Sequence, residues 1–479
     1  MEDKLLMELK KHFGFTEFKT GQREIIESLL AGSDTLGILP TGTGKSLCYQ
    51  LSGMLAEGSV LVVSPLLSLM EDQVRSLQVL GEHHVIALNS SLLHEEKYYV
   101  LKHLSSYKFI FASPEMLLQG EVLNYLRKTK FGLFVIDEAH CVSQWGMDFR
   151  PEYARLHVVQ EVLNHPVTLA LTATATPLVE QDIRQYLFPE GVECFRSSVN
   201  RENIGLVVRR TEKKEEQLIQ LLKTLSPLGS GIVYASTRKE TEFLARLITT
   251  QLGIDTAFYH GGLTASERGS LQAQFLNNEL PLLCATNAFG MGIDKPDIRF
   301  VVHYSLSGSL ESYVQEYGRA GRDGLPALAI LFYKEGDEFI HQYFHQEQMA
   351  DRQSLSFITG RSKEEIKDLL PLFKGIQQKW LQGFLEDEYT YEELVGKLLE
   401  KETQKNNQLQ TMLIYQKSSS CRRNFIQTYF GDNKVNIPPE YCCDNCGLRV
   451  EEYIKQFPKV EKVEKSEQSA WQEIIHQLF

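Results

Sequence analysis

The 479-residue sequence predicts an α/β protein, with two parallel-sheet domains in tandem followed by a mainly helical segment that carries clustered cysteines. Three observations predict it. From Leu36 to about Leu187, short apolar runs alternate with helix-like stretches. The alternation restarts after a charge-rich break at 209–216. Beyond Tyr333 the apolar runs give way to Glu, Lys, Leu and Gln. Continuous apolar strands alternating with helices imply a parallel sheet covered on both faces. A Glu/Lys/Leu/Gln-rich segment favours helix.

In the first domain the expected strands are 35–39, 60–64, 85–88, 109–112, 131–136 and 168–171. Helices begin near Gly44, Ser68, His94, Pro114, Pro151 and Pro177. In the second domain the expected strands are 231–235, 256–259, 282–285, 300–304 and 327–333, with helices from about Arg238, Thr264 and Ser309. The break at 209–216 is expected to be a hinge. The domain limits that follow are 1–207, 208–336, a helical and cysteine-bearing subdomain over 337–450, and a charged tail over 451–479, expected as one helix or disorder.

Net charge is −12, which neither points to a nucleic-acid partner nor excludes a local basic groove on an acidic body. No apolar stretch reaches the ~20 residues of a membrane span, and the first residues lack the apolar core of a signal peptide. A cytoplasmic protein without a membrane partner is expected. Four of the eight cysteines, Cys48, Cys141, Cys194 and Cys284, are scattered through apolar or motif segments, as expected of reduced core thiols.

The first chemical motif is Thr41-Gly42-Thr43-Gly44-Lys45-Ser46, between the strand at 35–39 and a helix. Such a turn is a phosphate cradle. Glycines let backbone N–H groups approach phosphate oxygens, and the helix N-terminus adds its dipole. Lys45 would reach the β/γ-phosphates and the Ser46 hydroxyl would take a Mg²⁺ position. The common phosphate-loop pattern places Gly five positions before Gly44, where this chain has Leu39; a Gly-rich turn with a chance Lys-Ser is the bland alternative.

A second site narrows the choice. Asp137 and Glu138 close the apolar strand 131–136, where open α/β sheets bind ligands. Asp137 is placed to hold Mg²⁺, directly or through water, and Glu138 to orient or deprotonate the attacking water. The two sites together predict hydrolysis of a nucleoside triphosphate. Thr172-Ala-Thr-Ala-Thr176 closes a later strand and can couple the acidic site to a second domain.

Gln315-Glu-Tyr-Gly318-Arg319-Ala-Gly321-Arg322-Asp-Gly324 sets two arginines among glycines in the second domain. Arginine stabilises charge on a transferring phosphoryl group, so Arg319 or Arg322 is a candidate finger and hydrolysis would depend on domain closure. The loop after the acidic pair carries Gln144, Trp145, Phe149 and Arg150. Its aromatics suit base stacking; a core role is the alternative, against which the polar neighbours argue. Near the N-terminus, Phe18 could lie beneath an adenine and Gln22 could read its edge. Cys421, Cys442, Cys443 and Cys446 suit a tetrahedral structural Zn²⁺. Adjacent Cys442 and Cys443 are unusual, because neighbouring side chains point apart.

Taken together, these segments resemble the RecQ family of superfamily 2 DNA helicases, from about Phe13 to Cys446. The most specific pieces are Phe18 to Gln22, Ser64-Pro-Leu-Leu-Ser68, Asp137 to His140 with the Trp145 loop, Ala288 to Pro296, Gln315 to Gly324 and Cys421-Arg-Arg. The resemblance implies two RecA-like domains and a zinc-binding subdomain. It also implies ATP-driven 3′→5′ unwinding of DNA in repair or recombination, with ATP, Mg²⁺ and Zn²⁺ as cofactors. Lys45, Asp137, Glu138, Gln315, Arg319 and Arg322 would be catalytic; Phe18, Gln22, residues 41–46 and Asp294 would bind nucleotide; the Trp145 loop would couple DNA contact to hydrolysis. Partners would be single-stranded and tailed or forked DNA, with single-stranded-DNA-binding or repair proteins as further candidates, on the nucleoid. Lys19 stands where the family commonly has Arg, and the adjacency of Cys442 and Cys443 departs from the usual spacing. The length is that of a short member without the winged-helix and small helical domains of many bacterial relatives. An RNA helicase and a non-enzymatic nucleic-acid scaffold are the competing readings.

Overall fold

Six consecutive residues, Phe131–Ile136, form the strand at the centre of the first sheet, nearly all buried. Apolar side chains on both faces of one strand require cover on both sides, and helices supply it. The structure, a computed structural model, describes residues 3–89, 92–143, 151–290, 294–344, 355–373, 375–385, 390–432 and 441–457. Its first sheet contains β1 (Thr35–Ile38), β2 (Ser59–Val63), β3 (Val85–Leu88), β4 (Phe109–Ala112), β5 (Phe131–Ile136), β6 (Val167–Thr172) and β7 (Glu193–Arg196). Their order is β3-β4-β2-β5-β6-β1-β7, and every pairing is parallel. One face packs around Leu61, Ile110 and Phe134, the other around Val60, Phe109 and Val135.

The second sheet contains β8 (Ile204–Arg210), β9 (Ser230–Tyr234), β10 (Thr256–Tyr259), β11 (Leu282–Ala285), β12 (Ile298–His303) and β13 (Ala327–Tyr333). Its order is β10-β11-β9-β12-β13-β8, again all parallel. Two strands, β7 and β8, are additions to the sequence expectation. The segment 209–216 is not a hinge: Arg209 and Arg210 end β8, and Lys214–Leu225 is a helix of the same domain. The chain crosses between sheets at 197–203, and the expected limit at 207/208 falls inside β8, which pairs with β13 along its whole length.

After β13 the elements are helical. A 27-residue helix, Tyr391–Lys417, starts on a reciprocal cap in which Thr390 N–H donates to Glu393 and Glu393 N–H donates back to the Thr390 hydroxyl. Leu409, Met412 and Tyr415 of this helix, with Ile426 and Phe430, join the core on one face of the second sheet. A smaller cluster around Leu355, Ile366 and Leu381 is separate from it. Across the expected limit at 450/451, Val450–Tyr453 is a short helix, and Val450 and Phe457 pack on the other face. No helix among the described residues is long and apolar enough to cross a membrane.

Candidate active site and zinc centre

β1 delivers the chain to the turn at 41–46, and the helix Lys45–Leu55 follows directly. Gly42 (φ 86°) and Gly44 (φ 72°) take left-handed backbone conformations that side chains resist. The turn is braced from outside by donors to its carbonyls. Lys19 Nζ donates to Gly42 O at 3.0 Å. The Gln22 amide donates to Thr43 O at 2.7 Å and Gly44 O at 3.0 Å. Arg201 donates to Thr41 O at 3.0 Å. Gln22 itself is 2% exposed, and its carbonyl accepts from Lys19 N–H.

Asp137 and Glu138 sit at the C-terminal end of β5, two strands from β1, and both are buried. Glu138 adopts φ 49°, ψ 46°, an unfavourable region for a residue with a long side chain. Strain of this kind is kept where neighbours over-determine it. Here Tyr153 donates to the Asp137 carbonyl at 3.0 Å, and Asp137 N–H donates to Val63 O on β2 at 2.9 Å. His140 Nδ1 lies 3.1 Å from the Thr172 hydroxyl and 3.3 Å from Glu138 Oε2. Thr172 in turn donates to Thr174 O, so the threonine run expected to couple the acidic site does contact it.

Burial, then the adjoining Glu138 charge, push Asp137 above the ordinary carboxylate range. Against the penalty of burial, Lys45, His140 and Arg319 hold Glu138 below it. The second of these effects places Arg319, from the second domain, within electrostatic reach of the acidic pair.

Gln315 lies on the helix Leu310–Tyr317, and the arginines follow that helix. Arg319 is 5% exposed and bonds to the Gly290 carbonyl. Arg322 donates to Asp294 at 2.8 Å. Gln315, Arg319, Arg322, Gly290 and Asp294 line one cavity of about 920 Å³ with Gly42, Gly44, Lys45, Ser46, Asp137 and Glu138. Among the described residues, the buried Arg319 Nε has no hydrogen-bond partner, and Glu138 Oε2 has only the His140 ring beside it. Buried polar groups are normally paired, so the cavity is chemically prepared for a polar ligand.

The aromatic beside this cradle is not the one singled out in the sequence. Phe15, 55% exposed, lines the cavity with Phe13. Phe18 is half-buried against the core of the first domain. Lys19, a departure from the family pattern, also escaped sequence reasoning as a brace. Arg201 was missed altogether, and no local motif marks it. Gln144, Trp145, Phe149 and Arg150 lie outside the described residues.

The cysteine centre is built on the second domain. Cys421 caps the helix Arg422–Tyr429, and the loop with Cys442 and Cys443 runs beside edge strand β8. Leu206 N–H donates to Cys442 O at 3.3 Å, and Val208 N–H to Asp444 at 3.1 Å. Arg422 holds the same Asp444 at 3.0 and 3.2 Å. An edge strand is thereby covered rather than left to pair with another chain. The four sulfurs of Cys421, Cys442, Cys443 and Cys446 all lie within 4.8 Å of one another. Tetrahedral zinc at ~2.3 Å needs sulfurs about 3.8 Å apart, so the set fits the metal. Cys442 belongs to it: its sulfur is 3.6 Å from that of Cys421. The Cys442 thiol, and against burial the Arg422 N–H, hold Cys443 below the ordinary thiol range, which favours binding as thiolate.

Family models match in the same order. Residues 19–182 match the DEAD/DEAH box helicase family, 213–324 the helicase conserved C-terminal domain, and 380–447 the RecQ zinc-binding family. The chain is 41% identical to "Probable ATP-dependent DNA helicase RecS" of Bacillus subtilis over 99% of its own length and 98% of that relative. It is 42% identical to "ATP-dependent DNA helicase RecQ" of Pasteurella multocida over 68% of its own length, and spans about half (51%) of that longer protein. Among solved structures, Mycobacterium smegmatis helicase Lhr bound to ssDNA and AMP-PNP is similar in fold. Its TM-score is 0.56 at 21% identity, over 69% of this chain and 47% of that one. Near full-length likeness to RecS, with a zinc-binding region following two helicase domains, means that this chain belongs to the RecQ family.

Proposed function

We propose that the protein is an ATP-driven DNA helicase that moves 3′→5′ on single-stranded DNA and separates duplex ahead of it, acting in DNA repair or recombination. The carrying observation is the shared cavity. A phosphate cradle and an acidic pair from the first sheet face two arginines from the second. Phosphoryl transfer needs positioning and charge stabilisation more than covalent chemistry, and these groups offer both. Lys45 would contact the β/γ-phosphates and Glu138 would hold the attacking water. Arg319 and Arg322 would meet charge developing on the transferred group. Asp137, raised by burial and a like charge, is a carboxylate whose ionised form Mg²⁺ would favour, with Ser46 as the other protein ligand. Phe15 is the aromatic available to an adenine beside Gln22. The latter's amide already holds the cradle.

Because the arginines belong to the other sheet, hydrolysis is tied to how the two domains approach, which is how ATP turnover would become movement along a strand. The Trp145 loop follows Glu138 in sequence, and we assign Gln144, Trp145, Phe149 and Arg150 to DNA contact. The relatives named as DNA helicases support DNA over RNA. Nucleoid association in the cytoplasm follows from that substrate. ATP turnover measured with single-stranded DNA and with RNA of matched length tests the assignment: DNA should stimulate strongly, and equal stimulation by RNA would overturn it.

A further inference from the structure

The segment 197–203 joins the two sheets, and its side chains hold more than a connection. Arg201 donates Nη1 to Thr41 O and to Gly318 O, both at 3.0 Å. Its Nη2 donates to Ala320 O at 3.1 Å and Gly321 O at 2.7 Å. One guanidinium therefore grips the phosphate cradle with one nitrogen and brackets Arg319 with both. The approach is close. A Cβ added to Gly42 would lie 3.2 Å from Arg201 Nη1 and 3.1 Å from Arg322 Cγ. These four bonds all go to carbonyl dipoles, while burial, then the charge of Arg322, oppose the cation.

The linker is also held from behind by the zinc subdomain. Arg423, 4% exposed, bonds to Asn200 Oδ1, to Arg201 O at 2.7 Å and to Ile204 O at 2.8 Å. Asp432 accepts from the Ser198 hydroxyl and from Val199 N–H at 3.1 Å. Arg196 donates to Phe430 O at 2.9 Å. The Arg201 backbone is thus fixed to one body while its side chain spans two others.

We propose that Arg201 is a positioning residue for ATP hydrolysis, which registers the Arg319/Arg322 loop against the phosphate cradle and ties that register to the linker gripped by Arg423. The inference rests on the ATPase reading above. A planar fork can satisfy divergent carbonyls at once; an ammonium is a single point charge on a flexible stem. Displacing a reacting group by about 1 Å can cost about 10²-fold in rate. The arginine loop acts in the transition state, so loss of its register should appear in kcat rather than in KM.

The test is steady-state ATP turnover of the full chain with saturating single-stranded DNA, for wild type, Arg201→Lys, Arg201→Gln and Arg423→Lys, each with a thermal melt. Arg201→Lys should melt near wild type, keep KM for ATP within about threefold and lose about tenfold or more in kcat. Arg423→Lys should show the same kcat-selective loss, smaller in size. Wild-type kcat in Arg201→Lys, or a loss confined to KM, would overturn the proposal while leaving the ATPase reading intact. Unfolding of both Arg201 variants would make the residue a structural strap and overturn it equally. A wild type without ATP turnover would overturn the ATPase reading and this inference together.

Discussion

The Thr41 hydroxyl donates to the Gly318 carbonyl at 3.2 Å, so the phosphate cradle of one sheet touches the arginine loop of the other. The approach leaves no room for a larger residue, since a Cβ on Gly318 would lie 2.4 Å from Thr41 Oγ1. Residues separated by most of both domains in sequence thus meet beside the cavity that Thr41 and Arg319 line, and the chemistry proposed for it depends on that contact.

Lys45→Ala should abolish ATP turnover and leave DNA affinity close to wild type. Lys45 lies within electrostatic reach of Asp137 and Glu138 at the phosphate end of the cavity. Its removal takes charge from the nucleotide site, not from the DNA surface. Turnover near the wild-type rate would show that the cradle is misassigned.

Arg322→Ala should reduce kcat about 10³-fold with a much smaller change in KM, because a finger acts on charge that develops only in the transition state. Arg322 is held toward the cavity by Asp294. An unchanged kcat in steady-state assays would shift the role to Arg319, whose charge acts on Glu138.

Phe15→Ala and Phe18→Ala should separate binding from folding. Phe15 is exposed in the cavity, so its loss should raise KM for ATP roughly tenfold, in line with the worth of one stacked base, with little change in melting. Phe18 packs on the core, so its loss should cost about 1–3 kcal/mol of stability. Fluorescent-nucleotide titration and denaturant melts on both variants read the two effects; the reverse pattern would return the adenine contact to Phe18.

The central strands of both sheets were legible because residues such as Phe131–Ile136 are apolar without a break. β7 and β8 were not. Both are edge strands of mixed polarity, and the Arg209-Arg210 end of β8 reads as a charged break. The cradle, the acidic pair and the arginine loop were legible because their glycines and charges are local in sequence. Bracing was not: Lys19, Gln22 and Arg201 act on carbonyls 21 or more residues away, and only the fold shows which carbonyls turn outward. The adjacency of Cys442 and Cys443 argued against joint ligation. The extended backbone of Cys443 (φ −154°, ψ 170°) and the bridge from β8 instead turn the loop so that both sulfurs meet the other two.

Purified protein should hold about one Zn²⁺ per chain, and Cys442→Ser should lower that content as Cys446→Ser does. Structural zinc contributes folding free energy directly. Because Cys442 and Asp444 accept hydrogen bonds from β8, metal loss should loosen the second domain as well as the loop. Metal analysis with limited proteolysis after chelation checks both points. Full zinc content in Cys442→Ser would mean that another group completes the site.

Strand separation on a duplex with a 3′ single-stranded tail, with ATP, beside the same duplex carrying a 5′ tail, is the decisive measurement for ATP-driven 3′→5′ unwinding. Wild type should separate the 3′-tailed duplex and not the 5′-tailed one, and Lys45→Ala should separate neither while still binding both. Separation of the 3′-tailed duplex by Lys45→Ala, or none by a wild type that hydrolyses ATP on single-stranded DNA, would contradict it.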